Sequence, residues 1–205
     1  MTGGRQIALA LKRAFDILVA LTALTLLSPF IVLAALAIKL DTRGPISYLQ
    51  NRVGRDGKVF ACVKFRTMVV GAENQGLGLE VAQDDDRITR VGQLLRNWTF
   101  DEVPQLINVL KGDMSIVGPR PTVPEQVARY TTRDRRRLQV KPGMAGWAWI
   151  HGRNSIPWRE RIDLDIWYVD NWSLALDARI LWKSFAVLLR REGVYGADGV
   201  ARDLE

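Results

Sequence analysis

The stretch Ile17–Ile38, ILVALTALTLLSPFIVLAALAI, decides how the chain is read, because it runs for 22 residues without a charge. As a helix it would measure roughly 33 Å, enough to span the hydrocarbon of a bilayer. A cleaved secretory signal has a shorter apolar run and a small-residue cleavage site, and neither is found before Lys39. Pro29 lies just past the midpoint, where it removes a backbone donor and crowds the preceding turn, so the sequence predicts a kink or break there. Ser28 can return a hydroxyl hydrogen bond to a carbonyl freed by the proline. Both flanks are basic, with Arg5, Lys12 and Arg13 before the stretch and Lys39, Arg43, Arg52 and Arg55 after it. Basic flanks stay on the cytoplasmic side. A hairpin that turns at Ser28-Pro29 and leaves by the face it entered satisfies both ends; a kinked single-pass anchor is the alternative. The expected organisation is a re-entrant helix-break-helix at 1–40 and one cytosolic domain at 41–205.

The 205 residues leave room for one domain plus such an appendage. Hydrophobic residues at 48%, charged residues at 25% and a mean hydropathy of -0.02 exclude both a polytopic transporter and a disordered chain. A net charge of +7 favours an anionic partner: phosphate, nucleic acid or a lipid surface. Cys62 and His151 are the sole residues of their types, which rules out an internal disulfide and a structural zinc site but leaves carboxylate chemistry with hard metals open.

The fold class expected is α+β, mainly helical. Tyr48-Leu49 and Val59–Phe65 look like strands around Gly54-Arg55-Asp56-Gly57, followed by a polar loop over 71–86. Helical spacing covers Arg87–Asn97, with Asp86 as its N-cap, and Asp101–Lys111. Pro124–Leu138 reads as a helix whose arginines (Arg129, Arg133, Arg135, Arg136, Arg137) suit a solvated or lipid-facing surface. Arg159–Asn171 and Asp177–Arg191 read as amphipathic interfacial helices, the second ending at Gly193. Trp147, Trp149, Trp158, Trp167, Trp172 and Trp182 cluster in the final third, where each suits either the lipid headgroups or the core.

Asp101-Glu102 is the sharpest chemical feature. Adjacent carboxylates at a helix start can divide labour between a nucleophile and a metal or proton partner, although acids also occur there as plain caps. Cations flank the pair in sequence: Lys64, Arg66, Arg96 and Arg120. Gly118-Pro119-Arg120-Pro121 brackets a guanidinium with two fixed φ angles, a rigid presentation to phosphate or to a planar base, while a helix-terminating loop is the plainer reading. Asp84-Asp85-Asp86 suits either a metal-binding acid motif or a solvated turn. His151 sits in a Gly/Arg/Asn-rich loop within reach of a substrate, and Cys62 suits a core position.

With these residues in view the chain resembles the bacterial sugar transferases, specifically the small monotopic phosphoglycosyl transferases. The resemblance runs from about Lys12 to Tyr195. It rests on Lys12-Arg13-Ala14-Phe15-Asp16, Ser28-Pro29, Lys64-Phe65-Arg66-Thr67-Met68, the block from Arg96 through Asp101-Glu102-Val103-Pro104-Gln105-Leu106 to Lys111-Gly112-Asp113-Met114-Ser115, Gly118-Pro119-Arg120-Pro121, and Lys141-Pro142-Gly143-Met144-Ala145-Gly146-Trp147. Asn97-Trp98-Thr99-Phe100, Trp149 and His151 depart from the family's pattern. The resemblance implies transfer of a sugar 1-phosphate from a UDP-sugar to a polyprenol phosphate, usually undecaprenyl phosphate, with Mg2+ and release of UMP. It implies Asp101 as nucleophile with Glu102 as partner, both as metal ligands. Lys64, Arg66, Arg96, Arg120 and Pro121 follow as substrate-binding residues, and Lys12, Arg13, Asp16, Ser28 and Pro29 as membrane-anchoring residues of a re-entrant helix. The implied place is the cytoplasmic face of the bacterial inner membrane, with membrane lipids and no nucleic acid as partners; a homodimer is left open.

Overall fold

A computed structural model describes residues 3–76, 78, 80–82, 84–190 and 200–201. Helix α1, Gly3–Asp41, is continuous through Ser28-Pro29, where the sequence predicts a break. The helix tolerates the proline through a local repair. Pro29 deprives the Thr25 carbonyl of its usual amide donor, and the Ser28 hydroxyl donates to that same carbonyl at 2.8 Å.

Both arms of α1 pack on one body. Ala20 joins the main core, with Val109, Met114, Ile116, Tyr168 and Ile180, while Ala34 and Ile38 pack with Phe65 and Leu95. Between the arms the helix is bare, with Leu26, Phe30, Val32 and Leu33 more than half exposed. The polar residues at the start of α1 turn to the body. Lys12 Nζ donates to Asp177 and to the Val117 carbonyl, Arg13 donates to the carbonyls of Val109 and Leu110, and Asp16 accepts from Ser115 and Ile116. Their side chains tie the apolar helix to the protein, in contacts that sequence spacing could not reveal.

Strand β1, Ser47–Val53, pairs antiparallel with β2, Val59–Phe65, and is longer than the dipeptide predicted. The turn between them places Asp56 and Gly57 at positive φ, a conformation that Asp and Gly adopt readily. A two-residue strand β3, Val81–Ala82, lies within the predicted polar loop. Helix α2, Arg90–Asn97, begins three residues later than predicted because Thr89 is its cap, the hydroxyl accepting the Gly92 amide. A 3-10 turn, Phe100–Gln105, carries Asp101 and Glu102 and runs into α3, Leu106–Lys111.

Strand β4, Ser115–Val117, pairs parallel with β5, Gly143–Ala145. The predicted helix over 124–138 divides into α4, Pro124–Ala128, and a 3-10 turn, Asp134–Gln139. The Asp134 carboxylate accepts both the amide and the hydroxyl of Thr131, which begins a new turn in competition with the helix. Arg137 of that turn is buried in an ion pair with Asp165, contrary to the expected solvated face; Arg133 and Arg136 form exposed pairs with Asp163 and Asp170.

Helix α5, Trp158–Asn171, and helix α6, Leu174–Arg190, match their predicted spans to within three residues. On α6, Asp177, Ile180 and Ser184 face inward while Leu174, Trp182 and Phe185 are exposed. The tryptophans differ in burial, with Trp149 in the interior and Trp182 81% exposed. A terminal strand β6, Val200–Ala201, pairs with β3. Gly193 and Tyr195 lie outside the described residues.

Candidate active site

The 3-10 turn at Phe100–Gln105 is held over strand β2 from two sides. Asn108, buried at the start of α3, accepts the Val63 amide and donates to the Ala61 carbonyl, fixing α3 to the strand. Phe100 stacks on Phe65, ring centroids 6.3 Å apart. The turn is entered through Thr99, whose φ of 56° is unusual for a β-branched residue and costs of order 1–3 kcal/mol. Sequence spacing had no signal for Asn108 or for the backbone of Thr99.

A second framework presents Arg120. Gly118 and Gly143 meet backbone to backbone, since a Cβ on Gly143 would lie 2.0 Å from the Gly118 nitrogen. The Gly118 amide donates to Ala145 O and the Gly143 amide to Pro119 O, so the two glycine-bearing motifs lock together. Beyond them, Arg52 donates to the Pro121 carbonyl and Arg137 to the Arg120 carbonyl. Pro121 is itself buried, and its part is to fix the loop that aims Arg120.

These frameworks enclose a cavity of about 290 Å³ lined by Asp101, Glu102, Lys64, Arg96, Arg120 and Arg153, among others. Lys64 Nζ and Arg120 Nη2 each lie 2.9 Å from Glu102 Oε1. Arg96 Nε donates to Thr67 Oγ1 at 2.8 Å. Asp101, half-buried beside Glu102, has no hydrogen-bond partner for its carboxylate among the described residues. The pair is thus asymmetric. Burial and then the Glu102 charge push the Asp101 carboxyl above its ordinary value, with Lys64, Arg96 and Arg120 pulling the other way. Burial would also raise Glu102, but the charges of Arg120 and Lys64 outweigh it and hold that carboxyl well below its usual range. One carboxylate is committed to two cations and the other is left free among cations, an arrangement suited to attack on an anionic substrate.

Of the predicted substrate-binding residues, Pro121 is absent from the cavity wall and Arg66 has a second set of partners. That arginine borders the cavity, but its guanidinium donates to the carbonyls of Thr42 and Arg43 and to the Thr42 hydroxyl, closing the end of α1. His151 is exposed against Trp147 and is absent from the cavity wall. Asp85 is committed to Arg87, which also gathers the carbonyls of Ala72, Gln75, Gly78 and Glu80, so this acid organises the loop beside the cavity. Arg153 was not singled out by sequence and lies in the cavity wall, its guanidinium 3.9 Å from the centre of the Trp149 ring.

Among the described residues no group of three or more His, Cys, Asp or Glu side chains could hold a metal. Asp101 and Glu102 nevertheless offer hard oxygen donors of the kind Mg2+ takes when it keeps several waters and completes its shell with substrate phosphates.

The family model described as bacterial sugar transferase matches residues 7–191. The chain is 42% identical over 193 residues to the uncharacterized sugar transferase EpsL of Bacillus subtilis, covering 94% of each protein. It is 42% identical over 200 residues to the undecaprenyl-phosphate galactose phosphotransferase of Salmonella typhimurium, and 42% identical over 186 residues to the UDP-N-acetylgalactosamine-undecaprenyl-phosphate N-acetylgalactosaminephosphotransferase of Aeromonas hydrophila. It covers 90% and 87% of itself in those two matches but only 42% and 44% of the longer relatives. With a match over nearly its whole length and a cavity built from the same blocks of sequence, the chain belongs to the bacterial sugar transferase family.

Proposed function

We propose that the protein transfers a sugar 1-phosphate from a UDP-sugar to a polyprenol phosphate, undecaprenyl phosphate being the form named in its relatives, and releases UMP. The observation that carries this reading is the unpartnered Asp101 carboxylate beside a Glu102 held by Lys64 and Arg120, in a cavity lined with cations. In the first step an Asp101 oxygen attacks the sugar-bearing phosphorus; a P–O bond forms, the bond to the α-phosphate breaks, and UMP leaves with the electron pair. In the second, an oxygen of the polyprenol phosphate attacks the same phosphorus and Asp101 departs as a free carboxylate. A covalent intermediate divides one difficult exchange into two displacements. Arg96 and Arg120 offset charge on the phosphate oxygens, and Lys64 with Arg120 keeps Glu102 ionised. Asp101 and Glu102 would hold Mg2+, which would supply Lewis acidity.

The placement proposed is monotopic, on the cytoplasmic face of the inner membrane, with 1–40 dipping into one leaflet and 41–205 resting on its surface. Support comes from α1, whose arms on either side of Ser28-Pro29 pack on one body while its middle is bare and apolar. A helix crossing the bilayer would carry one arm to the far side. A polyprenol phosphate keeps its charged head at the interface, where such an enzyme meets a soluble nucleotide. The step toward glycoconjugate assembly is tested by nucleotide release from the full chain in nanodiscs with undecaprenyl phosphate, Mg2+ and a panel of UDP-sugars. Lipid-dependent UMP is the expected product, and UDP would transfer the assignment to a glycosyltransferase that moves the sugar alone.

A further inference from the structure

Arg153 brings together features that the two-step chemistry leaves unused. Its φ of 55° puts a non-glycine residue in the left-handed region, as does the 56° of Thr99 at the entrance to the Asp101 turn. The two are joined: Arg153 Nη2 donates to Thr99 Oγ1 at 3.3 Å. That long contact with a neutral acceptor is its only side-chain hydrogen bond among the described residues. Lys64 and Arg120, by contrast, are both ion-paired to Glu102.

The guanidinium is also oriented. Its Cζ sits over the Trp149 ring, 3.9 Å from the ring centre, so the indole backs the guanidinium. Trp149 is 8% exposed and is itself packed in the interior, which limits where the guanidinium can move. Arg153 borders both the main cavity and a recess of about 30 Å³ that it shares with Arg120 and Trp149. Burial, opposed by the charge of Glu102, pulls the Arg153 pKa down to about 10, and a further anion in the cavity would relieve it. A guanidinium backed by an indole, near Glu102 and Asp101 but hydrogen-bonded to neither among the described residues, fits a phosphate dianion.

We propose that Arg153 binds a phosphate group of the nucleotide diphosphate donor, presented by Trp149 and resting on Thr99 until the donor arrives. This assignment rests on the reading of the Asp101 cavity as the donor site. Trp149, one of the positions that departs from the family pattern, becomes the positioning residue that sets the angle of the arginine.

Calorimetric titration of the full chain in nanodiscs with UDP, pyrophosphate and uridine as separate probes tests the assignment. The variants are Arg153→Met, Arg153→Asn, Arg153→Lys and Trp149→Phe, with Arg133→Met, in an exposed ion pair, as the control. Asn tolerates the left-handed backbone, so it keeps the test valid where Met fails to fold. The expected result is that both neutral variants bind UDP and pyrophosphate about 10- to 100-fold more weakly, the loss of a charged hydrogen-bond donor. Lys should recover part of that loss, Trp149→Phe should show a smaller one, and Arg133→Met should bind as the parent does. In turnover, KM for the donor should rise more than kcat falls. Unchanged UDP and pyrophosphate affinity in Arg153→Asn would overturn the role of Arg153 while leaving the donor cavity in place. A loss confined to uridine would overturn the phosphate contact. Failure of the parent protein to bind UDP would overturn the donor reading and this assignment together.

Discussion

The carboxylate of Asp16, on the apolar helix α1, accepts the Ile116 amide of β4 at 2.9 Å. Four residues before this acid, and in the residue after that, Lys12 and Arg13 make their own bonds to the body. The apolar helix α1 and the framework of the cavity are therefore one hydrogen-bonded unit, and β4 leads directly into the loop that aims Arg120.

Replacing Asp16 should destabilise the protein and disturb the site. Asp16→Ala leaves the Ile116 amide and the Ser115 hydroxyl buried without their acceptor, at a cost of about 2–4 kcal/mol. Asp16→Asn retains one acceptor and should cost less. Denaturant unfolding in detergent checks the order, and equal stability of all three proteins would contradict it.

Arg120→Met should reduce turnover by about 100-fold, since the arginine both holds Glu102 and faces the cavity. Glu102→Gln should have an effect of similar size by releasing Lys64 and Arg120 from their shared carboxylate. The double variant should lose less than the product of the two singles, because the partners act together. Initial rates of UMP release measure this, and strict multiplicativity would show that the two residues act independently.

Acid should loosen the loop beside the cavity. The Arg87 hydrogen bond holds the Asp85 carboxyl below its ordinary 3.8. A depressed folded value means that this pair stabilises the fold fully above the unfolded pKa and loses its contribution as pH falls through the folded one. Stability should therefore decline below about pH 4, and Asp85→Asn should start lower at pH 7 and decline less steeply. Parallel pH curves for the two proteins would be inconsistent with the pair.

On α6 the exposed Trp182 and Phe185 form the apolar face opposite Asp177, Ile180 and Ser184. With Trp182 and Phe185 both changed to Ser, liposome association of the protein should weaken while its fold, read by circular dichroism, is retained. Undiminished association would place the lipid contact on α1 alone.

The parts of the fold that follow from local rules were legible in the sequence. The charge-free run announced α1, a short apolar run rich in strand-forming residues marked β2, and the spacing of apolar residues located α5 and α6. Less legible were places where one side chain competes with the backbone: Thr89 rather than Asp86 caps α2, and Thr131 with Asp134 interrupts the helix after Ala128. Ser28 offers the opposite case, since its hydroxyl was expected to cover a freed carbonyl and does so, although the helix it repairs continues unbroken. In the site, Asp101, Glu102, Lys64, Arg96 and Arg120 were identifiable from motif and charge, and all five border one cavity. Arg66 also borders that cavity, and its bonds to the end of α1 were not legible because a cation near the motif looks the same in sequence whether or not it also caps a helix. Arg153 escaped notice because its distinguishing features, a left-handed backbone and a tryptophan under the guanidinium, exist only in three dimensions.

Asp101 as nucleophile is the central claim, and intact-mass analysis of the protein mixed with its UDP-sugar, without polyprenol phosphate, tests it most directly. The account predicts one UMP released per active site and a mass increase equal to one sugar phosphate, mapped to the peptide that contains Asp101 and absent from Asp101→Asn. Turnover by Asp101→Asn at a substantial fraction of the parent rate, or UMP formed only when the lipid phosphate is present and with no adduct on the protein, would contradict it.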